Sequence, residues 1–192
     1  GKTASLEFRL ESDGKGGEEV FPFRQGSSRT GKARLERTVV ITGDQVSTAS
    51  TSFDENSRQQ VSITLDSQGG RQMHQATKSN IGRNLGVLFI ERKHRVTQAT
   101  DGNGEPMLKR TAYYDKQVIS LATIQSALGV QFRITGLDSP QEAKELALLL
   151  RAGALAAPID FVEERTIGPS LGAENIQLGI EAVTIGMVLV LL

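Results

Sequence analysis

The chain has 192 residues, enough for one large domain or two small ones, and its 22 Lys plus Arg balance 22 Asp plus Glu. With no net charge, there is no broad field to draw nucleic acid or an anionic membrane to the whole surface. The absence of cysteine excludes disulfides and thiolate metal sites without fixing a compartment.

The chain opens on Gly1 with no charged-then-apolar leader before it, which reads as an internal segment of a longer protein. Residues 3–10 (TASLEFRL) put Ala4, Leu6, Phe8 and Leu10 on one side and Ser5, Glu7 and Arg9 on the other. That period of two predicts a half-buried strand. Residues 11–36 are polar and rich in glycine, serine and charge, and read as a long loop or partly mobile insertion. Their basic residues have only Phe21 and Phe23 as interleaved aromatics, so a solvated loop is preferred to a nucleic-acid patch.

A β-rich block follows. Residues 38–42 (TVVIT) are β-branched, Gly43-Asp44 turns the chain, and residues 46–53 and 60–65 are predicted to pair around Asp54-Glu55-Asn56-Ser57. Asp66-Ser67 opens a predicted helix of about 15 residues, with Met73, Ala76 or Thr77, and Asn80-Ile81 as its stripe and Gly82 as its stop. Residues 85–90 (LGVLFI) form an apolar strand, and 91–110 a charged, projecting hairpin turning at Asp101-Gly102-Asn103-Gly104. Residues 118–128 are ambiguous and read as containing a short strand and a helical turn.

Residues 131–135 (QFRIT) form a strand, and Ser139-Pro140-Gln141-Glu142 is a capping box. The helix it opens, residues 140–152, is expected to bury Ala143, Leu146, Ala147, Leu149 and Leu150 and to end at Gly153. A strand over 159–165 completes strand, helix, strand, which suggests an α/β sandwich. Residues 182–192 (AVTIGMVLVLL) carry no charge, and beyond Arg165 there is no lysine or arginine. Read as the first half of a bilayer-crossing helix, this run has the flank of an extracytoplasmic side.

Several motifs mimic chemistry. Gly168-Pro169-Ser170-Leu171-Gly172 matches the hydrolase elbow G-x-S-x-G, but that fold needs a histidine after the serine, and both His74 and His94 precede it. A rigid turn leading from a strand into the membrane helix is the better reading. Asp101-Gly102-Asn103-Gly104-Glu105 begins like a calcium loop but has Pro106 and Ala112 where glycine and glutamate belong. The two histidines make no metal site. Asp54 and Glu55 read as water-facing turn residues, and Gly69-Gly70 lacks the lysine and spacing of a phosphate loop. The sequence therefore predicts no catalysis, no metal and no cofactor.

Four stretches together resemble the SecD family of protein-export subunits: SITLDSQGG at 62–70, FRITG at 132–136, LLLRAGAL at 148–155 and VEERTIGPSLGAENI at 162–176. TASLEFRL and the FDEN at 53–56 fit as well, and the last two of the four carry the specificity. The longer segment at 91–110 departs from shorter family members. The resemblance implies a subunit at the bacterial inner membrane, this part on the periplasmic side, working with SecF beside the SecYEG channel. There it would draw unfolded preprotein outward with help from the proton gradient, with no part for nucleic acid.

It also implies an α+β fold: a partial ferredoxin-like α/β sandwich base at 1–10 and 131–172, an inserted β-rich head at 11–130, and the C-terminal start of a transmembrane helix at 173–192. Hinges would lie at Leu10, Glu11, Gly129 and Val130. Leu85, Val87 and Phe89 would mark a strand edge able to add a client peptide. The competing expectation is a structural domain that docks SecF and the channel without touching the client.

Overall fold

The computed structural model describes residues 4–156. The alternation at the start becomes strand β1 (Ala4–Leu10), followed by β2 (Glu18–Pro22), β3 (Lys32–Glu36) and β4 (Ile41–Thr42). After one 3₁₀ turn at Gly43–Gln45 come β5 (Val46–Phe53), β6 (Gln59–Leu65) and α1 (Ser67–Thr77). The long strands β7 (Asn84–Thr100) and β8 (Pro106–Thr123), then β9 (Gln131–Ile134) and α2 (Pro140–Leu155), complete the described chain. The strands form three antiparallel sheets in the orders β4-β1-β7-β8, β5-β6-β9 and β2-β3.

Register decides which residues meet. Leu6 pairs with Phe89, Phe8 with Val87 and Leu10 with Leu85, so one face of the four-stranded sheet is continuously apolar. It shares a core with Ile63 and Val61 of β6, Phe132 and Ile134 of β9, and Leu146 and Leu150 of α2. Phe8 and Phe132 meet edge to face, with ring centroids 6.3 Å apart. The opposite face of the same sheet, with Leu88, Ile90 and Val118, is also buried, as are Phe21, Ala33 and Leu35 on the β2–β3 hairpin. Burial on both faces is why LGVLFI is apolar at every position instead of alternating.

The polar stretch 11–36 is therefore not a loop: it contains β2 and β3, paired from Glu18↔Glu36 to Pro22↔Lys32. Its alternating Phe21, Ala33 and Leu35 were outnumbered by charge in the sequence. Of residues 38–42 only Ile41–Thr42 is strand. The first helix has 11 residues, shorter than expected, and residues 118–123 continue β8 without a helical turn.

The second helix keeps the serine half of its expected capping box, the Ser139 side chain accepting the Glu142 amide at 3.1 Å, while the Glu142 carboxylate accepts the amide of Asp138, one residue before the cap, at 2.8 Å. It runs on to Leu155, past Gly153, and Leu149 is only half-buried. Gly153 is not a stop but a close approach, since a Cβ there would lie 2.4 Å from Leu6 Cγ.

The boundaries expected between residues 10 and 11 and between 130 and 131 do not separate two bodies among the described residues, all of which fall in one compact unit. Leu10 is buried and pairs with Leu85, while the Glu11 amide donates to the Asn84 carbonyl at 2.8 Å. The Val130 carbonyl accepts the Leu65 amide at 2.7 Å, and β9 continues that ladder on β6. Strands assigned to the base are thus woven into sheets assigned to the head. The strand expected over 159–165, the turn of Gly168, Pro169, Ser170, Leu171 and Gly172, and the uncharged run at 182–192 lie outside the described residues. Among the described residues no helix is long and apolar enough to cross a membrane.

Candidate functional site: a cleft beside a free strand edge

The first candidate edge requires correction. Strand β7 lies between β1 and β8, so its backbone is hydrogen-bonded on both sides, and Leu85, Val87 and Phe89 are buried in the core. An incoming peptide would find neither donors nor acceptors there.

A different edge is available. Strand β9 pairs with β6 through Val61↔Ile134, Ser62↔Arg133, Ile63↔Phe132 and Thr64↔Gln131, and among the described residues no strand pairs with its far side. A strand bonded on one side only directs alternate N–H and C=O groups away from its neighbour. Beside it lies a cleft of about 1440 Å³, lined by Gln131 through Leu137 and, across the gap, by the end of β8 and the segment 124–128.

The cleft combines an apolar floor with a polar rim. Phe8, Val87, Ile63 and Phe132 lie at its base, and Phe53 stands at it 66% exposed. Arg29, Arg58 and Arg133 line it together with Asp54 and Glu55, so both signs of charge are present. The Asp54 carboxylate accepts the amides of Asn56 and Arg58 at 2.8 and 2.9 Å. It stabilises the β5–β6 turn, the role expected of it. Apolar contact, mixed charge and unused backbone groups suit an extended polypeptide of variable sequence better than a small ligand.

The far face of the four-stranded sheet holds an ionic cluster. Arg9, 6% exposed, binds Glu7 and Glu19 at 2.6 Å each and the Glu36 carbonyl at 3.2 Å, and lies 5.4 Å from the Phe21 ring centre. Burial would lower its pKa, but Glu7 and Glu19 outweigh that and hold it above the ordinary value. Burial lowers the pKa of neighbouring Lys116, with Glu7 and Glu19 partly offsetting it. The cluster joins the β2–β3 hairpin to β1 and is structural. Among the described residues no group of three or more His, Asp or Glu could hold a metal.

His74 and His94 are exposed and lie on different elements, and the Asp101 carboxylate accepts the Asn103 and Glu105 amides as a hairpin turn. Sequence reasoning missed the β9 edge. The available signal was the brevity of QFRIT and its alternation of Gln131 and Arg133 with Phe132 and Ile134, the pattern of a short edge strand.

The family model described as SecDF, P1 head subdomain, matches residues 18–157, running without a break through Gly129 and Val130. Protein translocase subunit SecD of Pseudomonas aeruginosa is 56% identical over 99% of this chain and 31% of its own length. The Escherichia coli K12 protein of the same name is 44% identical over 100% of this chain and 31% of its own. A solved structure titled "Structure and function of a membrane component SecDF that enhances protein export" is 25% identical, with TM-score 0.47, covering 87% of this chain and 70% of that one. The chain thus spans about a third of the length of these curated relatives.

Proposed function

The chain belongs to the SecD family of protein translocase subunits, and we propose that it is the periplasmic, non-catalytic part that holds emerging polypeptide in the cleft beside β9. The observation that carries this reading is the conjunction of a β9 edge unpaired among the described residues, exposed Phe53 and mixed charge around one apolar floor. A client would add as a strand to β9, with the backbone supplying sequence-tolerant affinity. The partners in this reading are SecF and the SecYEG channel, and residues 182–192 enter the inner membrane.

Any movement that drives export would then carry residues 4–156 as one body, because β1 and β9 are paired into the sheets on either side of the expected hinges. The energetics permit such a switch. Moving a two-state body from 1:99 to 99:1 takes about 5.5 kcal/mol. One charge crossing the membrane supplies roughly 2.3 kcal/mol per 100 mV, so two or three protons suffice.

The test is a photoreactive side chain at Arg133 or Phe53, with Lys144 as an exposed control, in cells exporting an arrested preprotein. The expected result is client crosslinks from the two cleft positions and none from Lys144. Labelling of channel partners but never of client would favour a domain that only docks SecF and SecYEG.

A further inference from the structure

The hairpin of β7 and β8 continues well past the sheet. Every residue from 92 to 111 is exposed except half-buried Ala99, so about 30 Å of two-stranded ribbon packs against no other element among the described residues. Bare ribbons need charge to guard their edges, and either sign serves that purpose. This one has a single sign: residues 92–100 and 106–114 contain Arg92, Lys93, Arg95, Lys109 and Arg110 and no acidic residue. Asp101 and Glu105 sit in the turn at the tip.

The register sorts these charges by face, because cross-strand partners share a face and successive residues alternate. The pairs Lys93↔Tyr113 and Arg95↔Thr111 define one face. There Lys93 is held by Asp115 at 2.7 Å, and Arg95 lies 4.2 Å from the Tyr113 ring centre. The pairs Arg92↔Tyr114, His94↔Ala112, Val96↔Arg110 and Gln98↔Leu108 define the other. This second face has no carboxylate and no ion pair for Arg92 or Arg110 among the described residues. Val96 and Leu108 on it are 59% and 68% exposed. Local desolvation and then the charges of Arg110 and Arg92 lower the His94 pKa, so uncompensated positive charge gathers here.

We propose that this face of the ribbon lies flat on an anionic lipid surface, with Arg92 and Arg110 among the headgroups and Val96 and Leu108 in the interface between headgroup and acyl chain. This face is acid-free, and it mixes arginine with large aliphatic side chains, the combination that favours a charged lipid interface. The inference rests on the membrane-side placement proposed above but not on client binding, so cleft crosslinking and lipid binding stand or fall separately.

The experiment is co-sedimentation of the whole chain with phosphatidylcholine vesicles, with and without phosphatidylglycerol. The uncharged residues 182–192 contribute to both, so the ratio of the two partition coefficients isolates the ribbon. Each basic side chain at such a surface is worth roughly fivefold. The double variant R92E/R110E should therefore cut the ratio by about 25-fold or more, and V96S/L108S should lower anionic-vesicle binding severalfold. A control of equal charge change on exposed lysines, K15E/K144E, should keep the ratio. Equal binding to both vesicle types by the unaltered chain, or equal losses in R92E/R110E and K15E/K144E, would overturn the proposal.

Discussion

Two antiparallel ribbons of this molecule are alike in sequence and opposite in fate. The β2–β3 hairpin and the distal half of β7–β8 are both short of apolar residues and rich in charge. The first is bound down over the central sheet, and the second projects from it, packed on no other element among the described residues. Three alternating residues, Phe21, Ala33 and Leu35, and one buried arginine separate them. Leu35 sits so close to β7 that a Cβ on Gly86 would lie 2.8 Å from its Cδ2. A few apolar side chains in register, and not average hydrophobicity, make a polar hairpin part of a core.

The comparison breaks most sharply at Arg9. Replacing it with methionine leaves half-buried Glu7 and Glu19 without their main partner, a loss of about 3 kcal/mol, the low end for a broken buried pair. Chemical denaturation measures it, and the loss should shrink markedly in an E7Q/E19Q background, where no carboxylate is stranded. A full loss in that background would show that Arg9 acts by packing alone. Next is Leu35→Ala, which empties a fully buried position beneath the hairpin and should cost about 3 kcal/mol. Loss of the hairpin's amide protection ahead of global unfolding would confirm that β2–β3 is held as a unit.

How far the sequence reveals this molecule depends on the range of the interactions. The cap of α2 was legible because Ser139, Pro140 and Glu142 act within one turn. The β5–β6 and β7–β8 turns were legible for the same reason, through Asp54 and Asp101. The β9 edge was not, because Phe132 finds Ile63 across a long stretch of chain, and no local residue announces which side of a strand stays bare. Gly153 misled because a glycine near a helix end usually caps it, whereas here it admits Leu6. Part of the wrong edge at Leu85 came from treating an apolar run as exposed, although a run apolar at every position marks burial on both faces.

A smaller effect is expected at Lys116, beside the same cluster. Burial lowers its pKa below the ordinary 10.5, so the unfolded chain binds this proton more tightly than the folded one. Stability attributable to Lys116 therefore rises with pH from the lowered folded value up to about 10.5. Lys116→Met should flatten that rise and stabilise the protein slightly at neutral pH, by less than about 1 kcal/mol. A steeper alkaline profile in the variant would contradict the assignment.

The smallest effect belongs to the free ribbon. Replacing residues 95–111 with a two-residue Asn-Gly turn joins the cross-strand partners His94 and Ala112 and removes most of the exposed ribbon but no buried hydrophobic side chain. A two-stranded ribbon with nothing packed on it contributes little stability of its own. The shortened chain should therefore unfold within about 0.5 kcal/mol of the parent, as surface changes usually do. Its preference for anionic over zwitterionic vesicles should nevertheless drop, since Arg110, Val96 and Leu108 of the lipid-facing side are gone. A large loss of stability would mean that the ribbon is clamped like its counterpart. Stability kept and lipid preference lost is the result that separates a projecting arm built for contact from a hairpin built for the core.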